Sequence, residues 1–112
     1  MEQTVHPRDD LRIGWTTLDS PEAARKLATS LVQSRLAACV QIDPPILSIY
    51  AWKGAVESES EIRLWVKYAA ANEEALQDRL RSEHPYETPQ WIAVTAAGAL
   101  PAYADWIRTS TT

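Results

Sequence analysis

With 112 residues the chain has the length of one compact domain, enough to bury roughly two thirds of the surface that its unfolded form exposes. Hydrophobic residues at 46% and charged residues at 23% are ordinary for a globular protein and exclude disorder over most of the length. A formal charge of −4 without any Lys/Arg cluster argues against nucleic-acid and membrane-surface partners, and the single cysteine, Cys39, excludes an intramolecular disulfide and a cysteine-only zinc site.

Residues 1–10 are polar and aperiodic and are expected to form a flexible N-terminal tail, followed by a single domain over 11–112. The start, MEQTVHPRDD, lacks the apolar stretch of a signal peptide and no run is long enough to span a membrane, so the cytoplasm is the expected location. From Leu11 to Thr17, Leu11, Ile13 and Trp15 alternate with Arg12, Gly14 and Thr16, the period of a strand. A helix follows, capped by Ser20, with Pro21 at its first position and Ala24, Leu27, Ala28 and Leu31 on one face.

Residues 37–52, AACVQIDPPILSIYAW, favour a strand broken at Pro44 and Pro45, since proline donates no ladder hydrogen bond. Lys53 and Gly54 read as a hairpin turn into a long strand, AVESESEIRLWVKY, with Ile62, Leu64, Val66 and Tyr68 on one face and Arg63, Trp65 and Lys67 on the other. Asn72 is placed to cap a second helix that Pro85 stops, and Glu73 and Glu74 complement its dipole. Trp91 to Val94 is a short apolar strand, and Pro101 opens a final helix in which Tyr103, Trp106 and Ile107 share a face.

The order β-α-β-β-α-β plus a short C-terminal helix predicts an α+β, ferredoxin-like fold: a four-stranded antiparallel sheet with two helices on one face. The sixteen residues from Ala37 to Trp52 would span about 50 Å if straight, against a radius of gyration of about 13 Å for a domain of this size. The long hairpin between the second and third strands must therefore overhang, leaving edges and the aromatics Tyr50 and Trp52 for another chain to cover. Trp65, on the face opposite the core row, points the same way, so these three residues are expected at an oligomer interface.

Each chemistry-bearing residue has a plain and a sharp reading. His84 ends a helix, where an imidazole satisfies free carbonyls, or is a metal ligand beside Glu83 or Glu87. Cys39 is a small strand hydrophobe or a soft ligand for copper. One thiol and one imidazole are too few for a closed four-ligand site, so a metal site needs carboxylates, water or several subunits. Glu57 and Glu59 read as a solvated edge, whereas Glu61 is expected to turn into a pocket with Lys67 and His84. No Gly-rich phosphate loop, zinc finger, HExxH pattern or Ser/His/Asp set is present, and the only catalytic combination on offer is Cys39 with His84.

The stretches RLAACVQI (35–42), SIYAWKGAVESESE (48–61), LWVK (64–67), SEHPYETPQWIAV (82–94) and YADWI (103–107), in this order, resemble the CutA family of divalent-cation tolerance proteins over about residues 11–108. The resemblance implies a ferredoxin-like protomer in a homotrimer joined by its long hairpins, similar in architecture to PII signalling proteins. It also implies binding of copper or another divalent metal and a role in metal tolerance or homeostasis; it establishes no catalytic activity, and the chain is expected not to be an enzyme. The implied intersubunit pocket is lined by Cys39, Trp52, Glu61, Lys67, His84, Tyr86 and Glu87, of which His84, Cys39 and Glu87 are the candidate metal ligands. Some members carry a thiol at the position of Trp15 and a second histidine at that of Glu83, and both are absent here. A PII-like sensor of a small ligand and a structural trimeric scaffold are the alternatives.

Overall fold

The computed structural model describes residues 10–112. The expected tail, including His6, lies outside the described residues except for Asp10, whose carboxylate accepts from Arg108 Nε (2.7 Å) and Nη2 (3.2 Å). The elements are β1 (Leu11–Leu18), α1 (Pro21–Gln33), β2 (Cys39–Ile42), β3 (Ile46–Trp52), β4 (Ala55–Ala69), α2 (Glu73–Glu83), β5 (Ile92–Thr95) and α3 (Pro101–Ser110).

All strand pairs are antiparallel, in the order β2-β4-β1-β5, and β3 joins the N-terminal half of β4. β2 and β3 are the two halves of the expected second strand, interrupted at Asp43–Pro45. Asp43 pins this break: its N–H donates to Arg63 O, and its carboxylate accepts from Arg63 Nε and Trp65 Nε1, both at 2.8 Å. Counting β2 and β3 as one strand gives the ferredoxin-like arrangement, with α1 and α2 packed on one face of the sheet.

The core follows the expected rows of β4 and α1. Ile62, Leu64, Val66 and Tyr68 meet Ala24, Leu27, Ala28 and Leu31 of α1 and Leu76 and Leu80 of α2. Ser20 caps α1 through its hydroxyl, 3.1 Å from Ala23 N. Asn72 stands before α2, at the end of a 3-10 turn, but makes no side-chain cap; its amide instead donates to Thr112 O at 2.7 Å.

In β1 the alternation holds, yet the apolar row is not the one that faces α1 and α2. Gly14, Thr16 and Leu18 lie opposite Val66, Leu64 and Ile62 and so share their face, which leaves Ile13 and Trp15 on the other side. Gly14 is required there because a Cβ would fall 2.2 Å from the Trp91 ring. On that other side α3 covers one corner, with Ala104 and Ile107 against Leu11 and Ala38. Tyr103 and Trp106, expected to share the face of Ile107, are instead exposed and stack on each other at 5.6 Å.

The overhang is explicit. The described residues measure 59 × 25 × 24 Å, and their radius of gyration is 15.5 Å, above the ~13 Å of a compact domain of this length. The β3–β4 hairpin closes through Lys53 (φ 49°) and Gly54 (φ 81°), and successive positive φ values of this kind are those of a two-residue type I′ turn. Its Leu47, Ile49 and Val56 are 66–79% exposed, and Ile92 and Val94 on edge strand β5 are exposed as well.

Candidate functional site

Where the hairpin leaves the body of the sheet, it forms a cleft of about 680 Å³ with the β1–α1 turn and the α2–β5 connection. The hairpin contributes Ser48, Ile49, Tyr50, Trp52, Glu59 and Glu61. Thr17 and Asp19 come from the end of β1, and Tyr86, Glu87, Thr88 and Gln90 from the connection after α2. The walls thus carry four carboxylates and three aromatic rings, with no lysine or arginine. Such a surface repels anions and attracts cations.

Register explains how the hairpin side is built. Ser48 faces Glu59 across the ladder, Tyr50 faces Glu57, and Trp52 faces Ala55. Directly opposed residues project to the same side, so the period of two places aromatics and carboxylates side by side. Tyr86 reaches across from the connection, and its hydroxyl donates to Glu61 Oε2 at 3.0 Å. Burial, reinforced by that bond, raises the Tyr86 pKa, so the phenol stays protonated and continues to donate. Tyr50 is raised too, by desolvation first and then by the charges of Glu59, Glu57 and Glu61. At the hairpin tip, Lys53 Nζ lies 5.7 Å from the Trp52 ring centroid, so this ring already faces an ammonium group.

His84 is behind the cleft wall rather than in it. The imidazole is buried; Nδ1 accepts from Tyr86 N–H at 3.1 Å, which assigns the proton to Nε2, from where it is donated to Thr17 O at 3.0 Å. Nε2 also lies 3.1 Å from Thr16 Oγ1. Desolvation lowers the His84 pKa, against the opposing pull of the Thr17 carbonyl and of Asp19 and Glu61. Both ring nitrogens therefore have protein partners, and the ring stacks edge-on against Tyr86 at 4.8 Å. This arrangement makes His84 a clip that fixes Tyr86 in the cleft wall.

Cys39 and Lys67 belong to another part of the protomer. They are directly opposed on β2 and β4, and Lys67 Nζ donates to Tyr103 OH at 3.2 Å while resting over that ring. Within one chain Lys67 does not join Glu61 and His84, whose expected common pocket lies between subunits. Glu61 and Lys67 do share a face of β4, but six residues at ~3.3 Å each separate them by about 20 Å. Likewise, the level of Cys39 is three residues further along β4 than that of Thr16, against which His84 packs. His84, Cys39 and Glu87 thus occupy three separate places, and among the described residues no three His, Cys, Asp or Glu side chains are grouped to hold one metal ion. Within one protomer the donors do not fit a thiolate–imidazole copper centre.

Of the expected pocket residues, the cleft brings together Trp52, Glu61, Tyr86 and Glu87, along with Tyr50, which was expected at an interface. Trp65 is half-buried, held by Asp43, stacked edge-on against Trp15 at 5.3 Å and covered by Arg63 at 5.4 Å. Sequence reasoning missed Asp19 and placed Glu59 on a solvated edge. The β-period of VESESE already put Glu59 beside Glu61, but nothing local told which elements would close over that row.

Comparison with known proteins agrees with this architecture. The family described as "CutA1 divalent ion tolerance protein" matches residues 13–110. The divalent-cation tolerance protein CutA of Thermus thermophilus is 41% identical over 95 residues, which cover 85% of this chain and 92% of that protein. The chloroplastic CutA of Arabidopsis thaliana is 40% identical over 97 residues, and the match covers 87% of this chain but only 53% of the Arabidopsis protein. Among solved structures, CutA from Xylella fastidiosa superposes with a TM-score of 0.89 at 38% identity, covering 92% of this chain and 99% of that one. One solved relative, from Archaeoglobus fulgidus, is described as periplasmic, so membership does not assign a compartment. No helix among the described residues is long and apolar enough to cross a membrane. The strand order, the overhanging hairpin and these matches together place the chain in the CutA1 divalent ion tolerance family.

Proposed function

We propose that the protein is a homotrimer that binds divalent cations, copper among them, at the acidic cleft and contributes to metal tolerance without catalysing a reaction, in the cytoplasm. The observation that carries the reading is the set of four carboxylates, Asp19, Glu59, Glu61 and Glu87, around one cleft with no basic wall residue. Because no three of these ligands converge in one chain, the ion is held with help from water or from a neighbouring protomer. Trimerisation is supported by the bare edges and exposed apolar side chains of the hairpin and β5, which a second copy would cover.

The test combines light scattering with calorimetry. A trimeric mass at micromolar concentration is expected, and a monomer there overturns the assembly. Titration with Cu(II) should lose most of its heat in Glu61→Gln and Glu87→Gln but not in His6→Ala. If His6→Ala alone removes the signal, binding belongs to the N-terminal segment and the cleft reading fails.

The PII-like reading, a sensor of a small organic ligand, is favoured by one observation: the cleft volume lies in the usual range of small-molecule sites, and aromatic rings form part of its walls.

A further inference from the structure

We propose that α3 is a latched flap: a helix that opens as a unit of its own about the connection at Gly98 and is kept shut by two catches, Arg35 and Asn72, which grip the main chain of Thr109 and Thr112. The inference concerns the far corner of the sheet and does not depend on the cleft.

Little apolar burial holds α3 down. Within it only Ala104 and Ile107 are buried hydrophobics, against Leu11 and Ala38, whereas Tyr103 and Trp106 stay exposed. By contrast α1 commits Ala24, Leu27, Ala28 and Leu31 to the main core. The connection from β5 is exposed over residues 97–100, and open space surrounds the place where a Cβ on Gly98 would stand. An element with few buried apolar contacts belongs to the part of a fold that opens below the global stability.

Each catch forgoes a better local fit. After α1, Arg35 N donates to Val32 O and Leu36 N to Leu31 O, both at 3.0 Å, the bonding of a helix end whose left-handed residue is usually glycine. Arg35 holds that place at φ 63°. Its guanidinium Nη2 donates to Thr109 O at 2.9 Å, and its carbonyl accepts from Thr112 N at 3.1 Å. Asn72 stands where a residue would cap α2 and makes no cap. Its Nδ2 donates to Thr112 O at 2.7 Å, and its buried Oδ1 has no hydrogen-bond partner among the described residues. A side chain on a strained backbone and another with a buried oxygen unpaired are explained by what they hold, not by local stability. When α3 lifts, Leu11 and Ala38 are bared and the Lys67 ammonium loses the Tyr103 hydroxyl.

The experiment is amide hydrogen exchange followed by mass spectrometry on the assembled protein, comparing α3, α1 and β4 in wild type, Arg35→Gly and Asn72→Ala. In wild type, α3 is expected to exchange faster than β4. Arg35→Gly should speed exchange in α3 about tenfold, the loss of one hydrogen bond from a charged donor. It should leave α1 no faster, because glycine suits the left-handed position that ends that helix. Asn72→Ala should likewise speed α3 and leave β4 unchanged. The proposal is overturned if α3 and β4 exchange together in wild type, if Arg35→Gly leaves α3 unchanged, or if it speeds α1 as much as α3. Should Arg35→Gly fail to fold, Asn72→Ala decides: faster exchange in α3 but not in β4 supports the flap, and equal changes in the two overturn it.

Discussion

Replacing Glu73 with glutamine should cost about 3 kcal/mol at neutral pH and abolish a specific acid sensitivity. Its carboxylate collects four donors from across the fold: Arg12 Nη1 (3.0 Å) on β1, Tyr68 OH on β4, Gln77 Nε2 (2.6 Å) on α2 and Trp91 Nε1 (2.8 Å) before β5. Burial works against ionisation here and is the largest single influence, but the donors Gln77, Tyr68, Trp91 and Arg12 together outweigh it and bring the carboxyl from 4.5 to about 2. At 1.36 kcal/mol per pH unit this difference is worth about 3 kcal/mol, an upper figure because the side chain is 21% exposed. The folded pKa is depressed, so the stabilisation is complete above pH 4.5 and is lost as pH falls toward 2. Urea denaturation at fixed protein concentration, at pH 7 and pH 3, measures it. The gap between wild type and Glu73→Gln should shrink from about 3 to about 1 kcal/mol, since roughly 2 kcal/mol of the wild-type advantage titrates away by pH 3. A gap that is the same at both pH values would refute the assignment.

Two further outcomes follow from the same packing. Gly14→Ala forces a methyl to within 2.2–2.8 Å of the Trp91 ring, so a loss of about 1–3 kcal/mol is expected in thermal or urea unfolding; an unchanged midpoint would mean that Trp91 does not sit against β1. His84→Gln should flatten the stability profile below pH 6.5, because a histidine whose folded pKa is lowered stabilises the fold above 6.5 and loses that contribution as pH falls toward its folded value. Profiles that remain parallel through this range would show that His84 is not held neutral.

Periodicity made most of the fold legible. The row Ile62, Leu64, Val66 and Tyr68 and the stripe Ala24, Leu27, Ala28 and Leu31 are local patterns, and each is buried as its period requires. The orientation of β1 was not legible, because Gly14 and Thr16 carry too little hydrophobicity to announce a core face, and only pairing with β4 reveals it. Glu73 looked like a helix-dipole residue because its partners at positions 12, 68 and 91 are distant in sequence. The site was half legible for a related reason. Facing follows from the β-period, which puts Glu57, Glu59, Glu61 and Lys67 on one side of β4, but distance along the strand decides convergence and sends Lys67 to Tyr103.

The two groups whose titration governs stability, His84 and Glu73, also shape the cleft. The connection that supplies Tyr86, Glu87, Thr88 and Gln90 begins at His84, clipped to the Thr17 carbonyl, and ends at Trp91, clipped to Glu73. It holds Pro85 and Pro89, which restrict its backbone further. A loop fixed at both ends and stiffened between them keeps its polar groups in place before any ligand arrives, which lowers the ordering cost of binding. Loss of either clip should therefore loosen Tyr86 from Glu61 even though neither clip residue lines the cleft. The stretch SEHPYETPQW thus uses its histidine and tryptophan as anchors and presents the residues between them to the ligand.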